Sequence, residues 1–203
     1  MKVNFEFRNH KVRLVKFKIM SHTAILLWMP DPAQRDAKIL IDAMSPDCID
    51  LVAVTEVRCS RTSLKLQTLK QIYHSTCGTY LEHDIKFVPL FVHQVIILLA
   101  CVNKPRYEGP KVDREMVAKD AKALYKAGTD EKVFVKIFSE RSNAQLIAIN
   151  ICYHDMYGGS LKKVIKKETS GLFEHALLTI LQCAENPAKY FAKVKYLVNH
   201  SWV

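Results

Sequence analysis

A chain of 203 residues with 49% apolar content and six glycines beside seven prolines can bury a substantial core, which excludes disordered and fibrous classes. The longest apolar runs, Ala24 to Met29 and Val95 to Val102, are far shorter than the roughly 20 residues of a bilayer-spanning helix, and charges interrupt every apolar patch of the first twenty residues, so neither a membrane span nor a secretory leader is expected. A net charge of +10 calls for an anionic partner, whether nucleic acid, membrane surface or acidic protein, and the six scattered cysteines, lacking any CxxC spacing, read as cytosolic thiols rather than zinc ligands.

Residues 1–23 form a basic segment that matches nothing later in the chain, and "AILLWMP", Ala24 to Pro30, reads as the last helix of a preceding unit. A helix opens at Asp31-Pro32, with aspartate as cap and proline at the first helical position. "SRTSLKLQTLKQIYHSTCGTYLEHDIK", Ser60 to Lys86, returns about 80 residues later as "ERSNAQLIAINICYHDMYGGSLKKVIK", Glu140 to Lys166. Arg61 then pairs with Arg141, Leu66 with Leu146, Tyr73-His74 with Tyr153-His154, and Gly78 with Gly158. An apolar helix from His93 to Val102 closes the first unit, and the Pro-rich "NKPRYEGP", Asn103 to Pro110, links it to the second.

In the second unit, Asp113 to Ala127 and Thr129 to Phe138 carry helical periodicity, with Thr129 as the expected N-cap. Ser142 with Gln145 spells a capping box for a third helix ending at Gly158-Gly159. Ser160 should cap a fourth, closed near Gly171, and a fifth runs to about Ala184. Asn186-Pro187 repeats the Asp31-Pro32 opening, so residues 186–203 read as the cut-off start of a further unit. The expected fold is all-α: a unit within 24–105 preceded by a remnant, a complete unit over 106–185, and five short helices in each.

The stretches "GTDE", "FSERS", "YGGSLKKVIKKETSG" and "FEHALLTILQCAENPAKYFAKV" resemble annexins, most closely the plant ones, over about Ala24 to Val194. The resemblance implies the second and third of four repeats, and calcium-dependent binding to anionic phospholipid by a non-enzymatic, cytoplasmic protein peripherally associated with membranes. It also suggests stress-linked roles in plants. Annexins hold calcium through carbonyls of a Gly-x-Gly-Thr loop and a bidentate acid about forty residues on. Here Gly128 and Thr129 match the loop's end and Glu168 the acid, while Lys126 replaces the earlier glycine and about five loop residues are missing. The calcium site is therefore expected to be weakened or lost. The corresponding connection of the first unit, "MSPDCID", has no glycine and is expected to hold no calcium.

Lys162, Lys163, Lys166 and Lys167 share one helix face that can meet anionic headgroups or simply be solvated. Cys59 and Cys183 match a redox-sensitive pair of plant annexins, which gives an alternative reading as a redox-responsive protein with peroxidase-like behaviour; a fragment without independent activity, prone to self-association through exposed ends, is another. His74 and His154, repeated after a tyrosine, read as packing residues, and Arg61 and Arg141 as ties between helices. The family's actin-related Ile-Arg-Ile appears as Val135-Lys136-Ile137, which argues against actin. Without aromatics interleaved among the basic residues, nucleic acid is not an expected partner.

Overall fold

A computed structural model describes residues 31–45, 49–87, 96–100 and 106–192. Among these residues the secondary structure is entirely helical. The first repeat contains α1 (Pro32–Ala43), α2 (Leu51–Ser60), α3 (Ser63–Cys77) and α4 (Leu81–Phe87), followed by a helical stretch at 96–100. The second contains α5 (Arg114–Ala127), α6 (Glu131–Glu140), α7 (Asn143–Tyr157), α8 (Leu161–Glu168) and α9 (Gly171–Glu185). Helical residues 187–192 follow, begun by Asn186, whose Oδ1 accepts the Lys189 N–H at 2.9 Å. The remnant helix at 24–30 and the segment 1–23 lie outside the described residues, as do the ends of the His93–Val102 helix.

Local chemistry accounts for the helix ends. Asp31 accepts the Ala33 N–H at 3.0 Å ahead of Pro32, and Asp113 accepts the Met116 N–H at 3.0 Å. Gly78 and Gly158 close α3 and α7 in the left-handed region, at φ 73° and 66°, and each donates its N–H to the histidine carbonyl four residues back. A side chain at either position would be strained, so both repeats use glycine there.

Some expected ends are corrected. Asp130, not Thr129, caps α6, its Oδ1 accepting the Lys132 N–H at 3.1 Å; two adjacent cap formers competed, and the aspartate prevailed. Ser160 precedes α8 without a side-chain capping bond, and α8 ends at Glu168, so that Gly171 opens α9 instead of closing its predecessor. Half of the Ser142–Gln145 capping box forms: the Gln145 N–H donates to Ser142 Oγ at 3.1 Å, but the Gln145 amide turns to the backbone of Asp113.

The duplicated positions occupy equivalent places. Leu66 and Leu146, Tyr73 and Tyr153, Leu81 and Leu161, Ile85 and Ile165 are all buried. Phe134, Phe138 and Phe173 anchor the second repeat at 2% exposure or less, each contributing about 2–3 kcal/mol by removal from water. His74 and His154 are not packing residues: both side chains are exposed, and the buried member of each pair is the preceding tyrosine. α1 packs on α2 and α3, α5 on α6 and α7, and α9 on α7. The repeats join where α9 lies along α2, so one core runs through both.

Arg61 and Arg141 tie helices together as expected. Arg61 grips Asp36 of α1 through Nε and through Nη2, the latter at 2.7 Å, and Arg141 grips Asp120 of α5 at 2.6 and 3.2 Å. Each is a forked, charge-assisted pair in which the aspartate is almost wholly buried.

Candidate functional site: the Gly128 turn and Glu168

α5 ends at Gly128, whose φ of 51° and ψ of −118° turn the chain sharply into Thr129 and Asp130. The Ala127 carbonyl accepts the Asp130 N–H at 2.8 Å and closes this turn. Lys126 and Thr129 are exposed and Gly128 is half-buried. The carbonyls of the last turn of a helix lack intrahelical partners and carry the negative end of its dipole, an environment that favours a cation.

Glu168, the last residue of α8, keeps 19% of its side-chain surface exposed. Lys167 Nζ lies 3.0 Å from its Oε1, and this hydrogen bond raises the lysine pKa. Three tyrosines cluster where α7 meets the end of α5. The rings of Tyr125 and Tyr157 stack at 3.9 Å with planes 3° apart, and Tyr153 lies 5.0 Å from Tyr157 and 6.5 Å from Tyr125. Burial first, then the neighbouring Tyr125, Tyr157 and the Glu168 carboxylate, raise the Tyr153 pKa. Tyr125, near the end of α5, thus meets the two tyrosines of α7, and Glu168, forty residues beyond Gly128, acts on Tyr153 through its charge.

Among the described residues no three of His, Cys, Asp and Glu gather as a metal-holding group. Asp130 already serves as the α6 cap. Glu168 and the carbonyls around Gly128 are oxygen donors of the kind calcium takes, and among the described residues no cage of several acids surrounds them.

The four lysines of α8 do not present one common free face. Lys162 is half-buried and forms an ion pair with Glu185, which also accepts the Asn150 amide at 3.0 Å. Lys167 is engaged by Glu168, while Lys163 and Lys166 stand exposed. Leu161 and Ile165, both fully buried, fix this orientation by seating the opposite face of α8 in the core.

Cys59 and Cys183 are not joined in a disulfide and are buried, at 3% and 7% exposure. Burial pushes Cys183 up to about 12, against the opposing fields of Arg61 and Arg106. Such a thiol carries almost no thiolate at neutral pH, which is the chemistry of an inert packing cysteine. Sequence reasoning missed the acid partners Asp36 and Asp120 and the tyrosine cluster; Tyr125 and Tyr157 sit on different helices, and no spacing rule links them.

A family model described as Annexin matches residues 118–180, which span α5 through most of α9. Annexin D5 of Arabidopsis thaliana is 43% identical over 175 residues, covering 84% of this chain and 55% of that protein. Annexin A13 of Homo sapiens is 33% identical over 179 residues, covering 86% and 56%. The solved structure of the K16A mutant of annexin A8 superposes with a TM-score of 0.78 at 31% identity, covering 83% of this chain and 54% of that one. Chicken annexin V in complex with Zn2+ superposes at 0.73 and 31% identity, covering 79% and 52%. The chain spans about half the length of the curated relatives it matches. With the duplicated helices, the glycine-closed turns and these likenesses in agreement, the chain belongs to the annexin family.

Proposed function

We propose that the chain binds the surface of anionic membranes peripherally, with calcium assistance at a single weakened site in the second repeat. What supports this reading is Glu168, a largely shielded carboxylate whose charge acts on Tyr153, a member of the ring cluster that includes Tyr125 near the C-terminal end of α5. Glu168 and carbonyls around Gly128 would hold the ion, with Thr129 at the rim. Bound calcium would supply open coordination positions for lipid phosphate.

The chain's own residues set how strong that contact is. Lys167 competes for the Glu168 carboxylate, and Lys126 adds a second positive charge beside the turn. Both lower cation affinity, toward the millimolar end of calcium sites at roughly 10⁻³ M. Lys163 and Lys166 instead favour the membrane, at about 1 kcal/mol for each basic side chain near an anionic surface. No described helix is long and apolar enough to cross a membrane, which suits surface attachment. Binding, not catalysis, is the activity proposed, at a cytoplasmic membrane face.

Co-sedimentation with phosphatidylserine vesicles tests the reading. Wild type should pellet more in calcium than in chelator, and Glu168→Gln should lose most of that difference. Equal pelleting of both proteins in both conditions would remove calcium from the account; binding that survives chelator and disappears in high salt would leave the lysines as the agent.

A further inference from the structure

Counted from the clamped aspartates, Asp36 and Asp120, the fifth residue onward is Ile41 in the first repeat and Tyr125 in the second. The offset between the repeats sets Cys77 against Tyr157 and Tyr73 against Tyr153. The inner tyrosine is common to both repeats and buried in both, at 3% and 4% exposure. The outer two belong to the second repeat alone, so packing of this corner does not require them. They stand at the surface: Tyr125 is 57% exposed and Tyr157 half-buried.

Their rings lie face to face, with centroids 3.9 Å apart and planes within 3° of parallel. Aromatic pairs more commonly keep centroids roughly 4.5–7 Å apart, in offset or edge-to-face arrangements. The other contacts of the cluster are tilted, Tyr153 against Tyr157 by 53° and against Tyr125 by 50°. Elsewhere among the described residues, Tyr80 meets His74 and Tyr190 meets Phe191, so no second tyrosine pair competes. For tyrosine this geometry has a chemical meaning. The unpaired electron of a phenoxyl radical occupies a π orbital whose lobes stand perpendicular to the ring, with high density at the carbons ortho to oxygen. Stacked rings aim those lobes at each other, and tilted rings do not.

We infer that Tyr125 and Tyr157 form an oxidative cross-linking site, at which hydrogen peroxide acting through a one-electron haem peroxidase joins α5 to α7 by a dityrosine bond. Each ring gives up one electron and its phenolic proton. The two radicals form one carbon–carbon bond between ortho positions, and the hydrogens on those carbons move to the oxygens, restoring both phenols. Two hydrogens leave in all, and one hydrogen peroxide becomes two waters. The bond fastens the last turn of α5, three residues before Gly128, to the last residue of α7.

The test treats the whole chain, dilute and without calcium or lipid, with a haem peroxidase and limiting hydrogen peroxide. Wild type should gain the blue fluorescence of a biphenol while running as a monomer on a denaturing gel. Its intact mass should fall by two hydrogens, and proteolysis should leave the Tyr125 and Tyr157 peptides joined. Phenylalanine keeps a stack and removes the phenol, so Tyr125→Phe and Tyr157→Phe should fold and each lose the product at least about tenfold, whereas Tyr153→Phe should retain it. The cross-linked monomer should melt about 5 °C higher, because the bond closes the loop between the two helices. A monomer without fluorescence, a joined peptide pair built on Tyr80, Tyr107 or Tyr153, undiminished product in Tyr125→Phe, or an unmoved melting temperature would each overturn the inference. Vesicle binding plays no part in these measurements, so failure of the membrane reading leaves them untouched.

Discussion

Gln145 and Asp113 exchange two hydrogen bonds between α7 and the start of α5: the Asp113 N–H donates to Gln145 Oε1 and Gln145 Nε2 donates to the Asp113 carbonyl, both at 2.9 Å. A side chain thereby satisfies one residue's backbone on both sides, at the point where the linker enters the second repeat. Gln145→Leu should cost about 1 kcal/mol, because it removes two part-buried hydrogen bonds to the Asp113 backbone. Urea unfolding gives the loss, and faster hydrogen exchange at the Asp113 amide would assign it; a change below about 0.5 kcal/mol would mean that water replaces the amide.

The Asp120–Arg141 clamp should matter far more than a surface pair. Asp120 is 6% exposed, so Asp120→Ala strands a guanidinium and should cost about 3 kcal/mol. Lys38 and Asp42 also pair, at 2.7 Å, but with side chains 65% and 60% exposed, and Asp42→Ala should cost under about 0.5 kcal/mol. Comparable losses in the two variants would contradict the burial argument.

At the Gly128 turn, Lys167→Met should strengthen calcium dependence by freeing the Glu168 carboxylate. The calcium concentration for half-maximal vesicle binding should fall about threefold. Lys163→Met should instead weaken binding without moving that midpoint; a Lys167 variant that requires more calcium would refute competition at Glu168.

Where α9 meets α2, His175 Nε2 lies 3.7 Å from Glu56 Oε1. Burial lowers the His175 pKa below its ordinary 6.5, against a smaller opposing effect of Glu174; burial and then Asp50 raise Glu56 above its ordinary 4.5. As pH falls through 6.5 the unfolded chain takes up the histidine proton first, so stability declines until the folded value is passed. Glu56 has the opposite sign: the folded chain is protonated first, and stability is regained as pH falls through its raised value toward 4.5. Urea midpoints measured against pH should show His175→Phe with a flatter decline below pH 6.5 and Glu56→Gln without the later gain. An unchanged profile in the histidine variant would discount the pair.

Thiol labelling should separate the cysteines by burial. Cys77 is exposed, although partial burial of its thiol and the Asp84 charge raise its pKa, and it should react in the native protein, more slowly than a free thiol. Cys59 and Cys183 should label only on unfolding. Native-state labelling of Cys183 on the timescale of Cys77 would reopen the redox reading.

Helix order and the twofold repetition were legible because they are written locally, in caps such as Asp31-Pro32 and Asp113 and in the glycines at 78 and 158. Long-range partnership was not. The repeated arginines signalled that something recurs, but nothing in the spacing identified Asp36 or Asp120 as their partners, which come from a helix folded back from earlier in the chain. The repeated histidines misled for a related reason: they follow the buried tyrosines Tyr73 and Tyr153, and duplication preserves exposed neighbours together with core positions. Glu168 was readable as an acid at the family's spacing. The tyrosine cluster between α5 and α7, and the ion pairs that withdraw Lys162 and Lys167 from the basic face, required three-dimensional adjacency.

The contact of α9 with α2 also has a kinetic meaning. It joins one of the earliest described helices to the last long one, so it closes only after nearly the whole intervening chain has been gathered, and the entropic cost of that closure falls late in folding. A ribosome-bound nascent chain would therefore hold the first repeat with one flank of its core unsealed until α9 emerged.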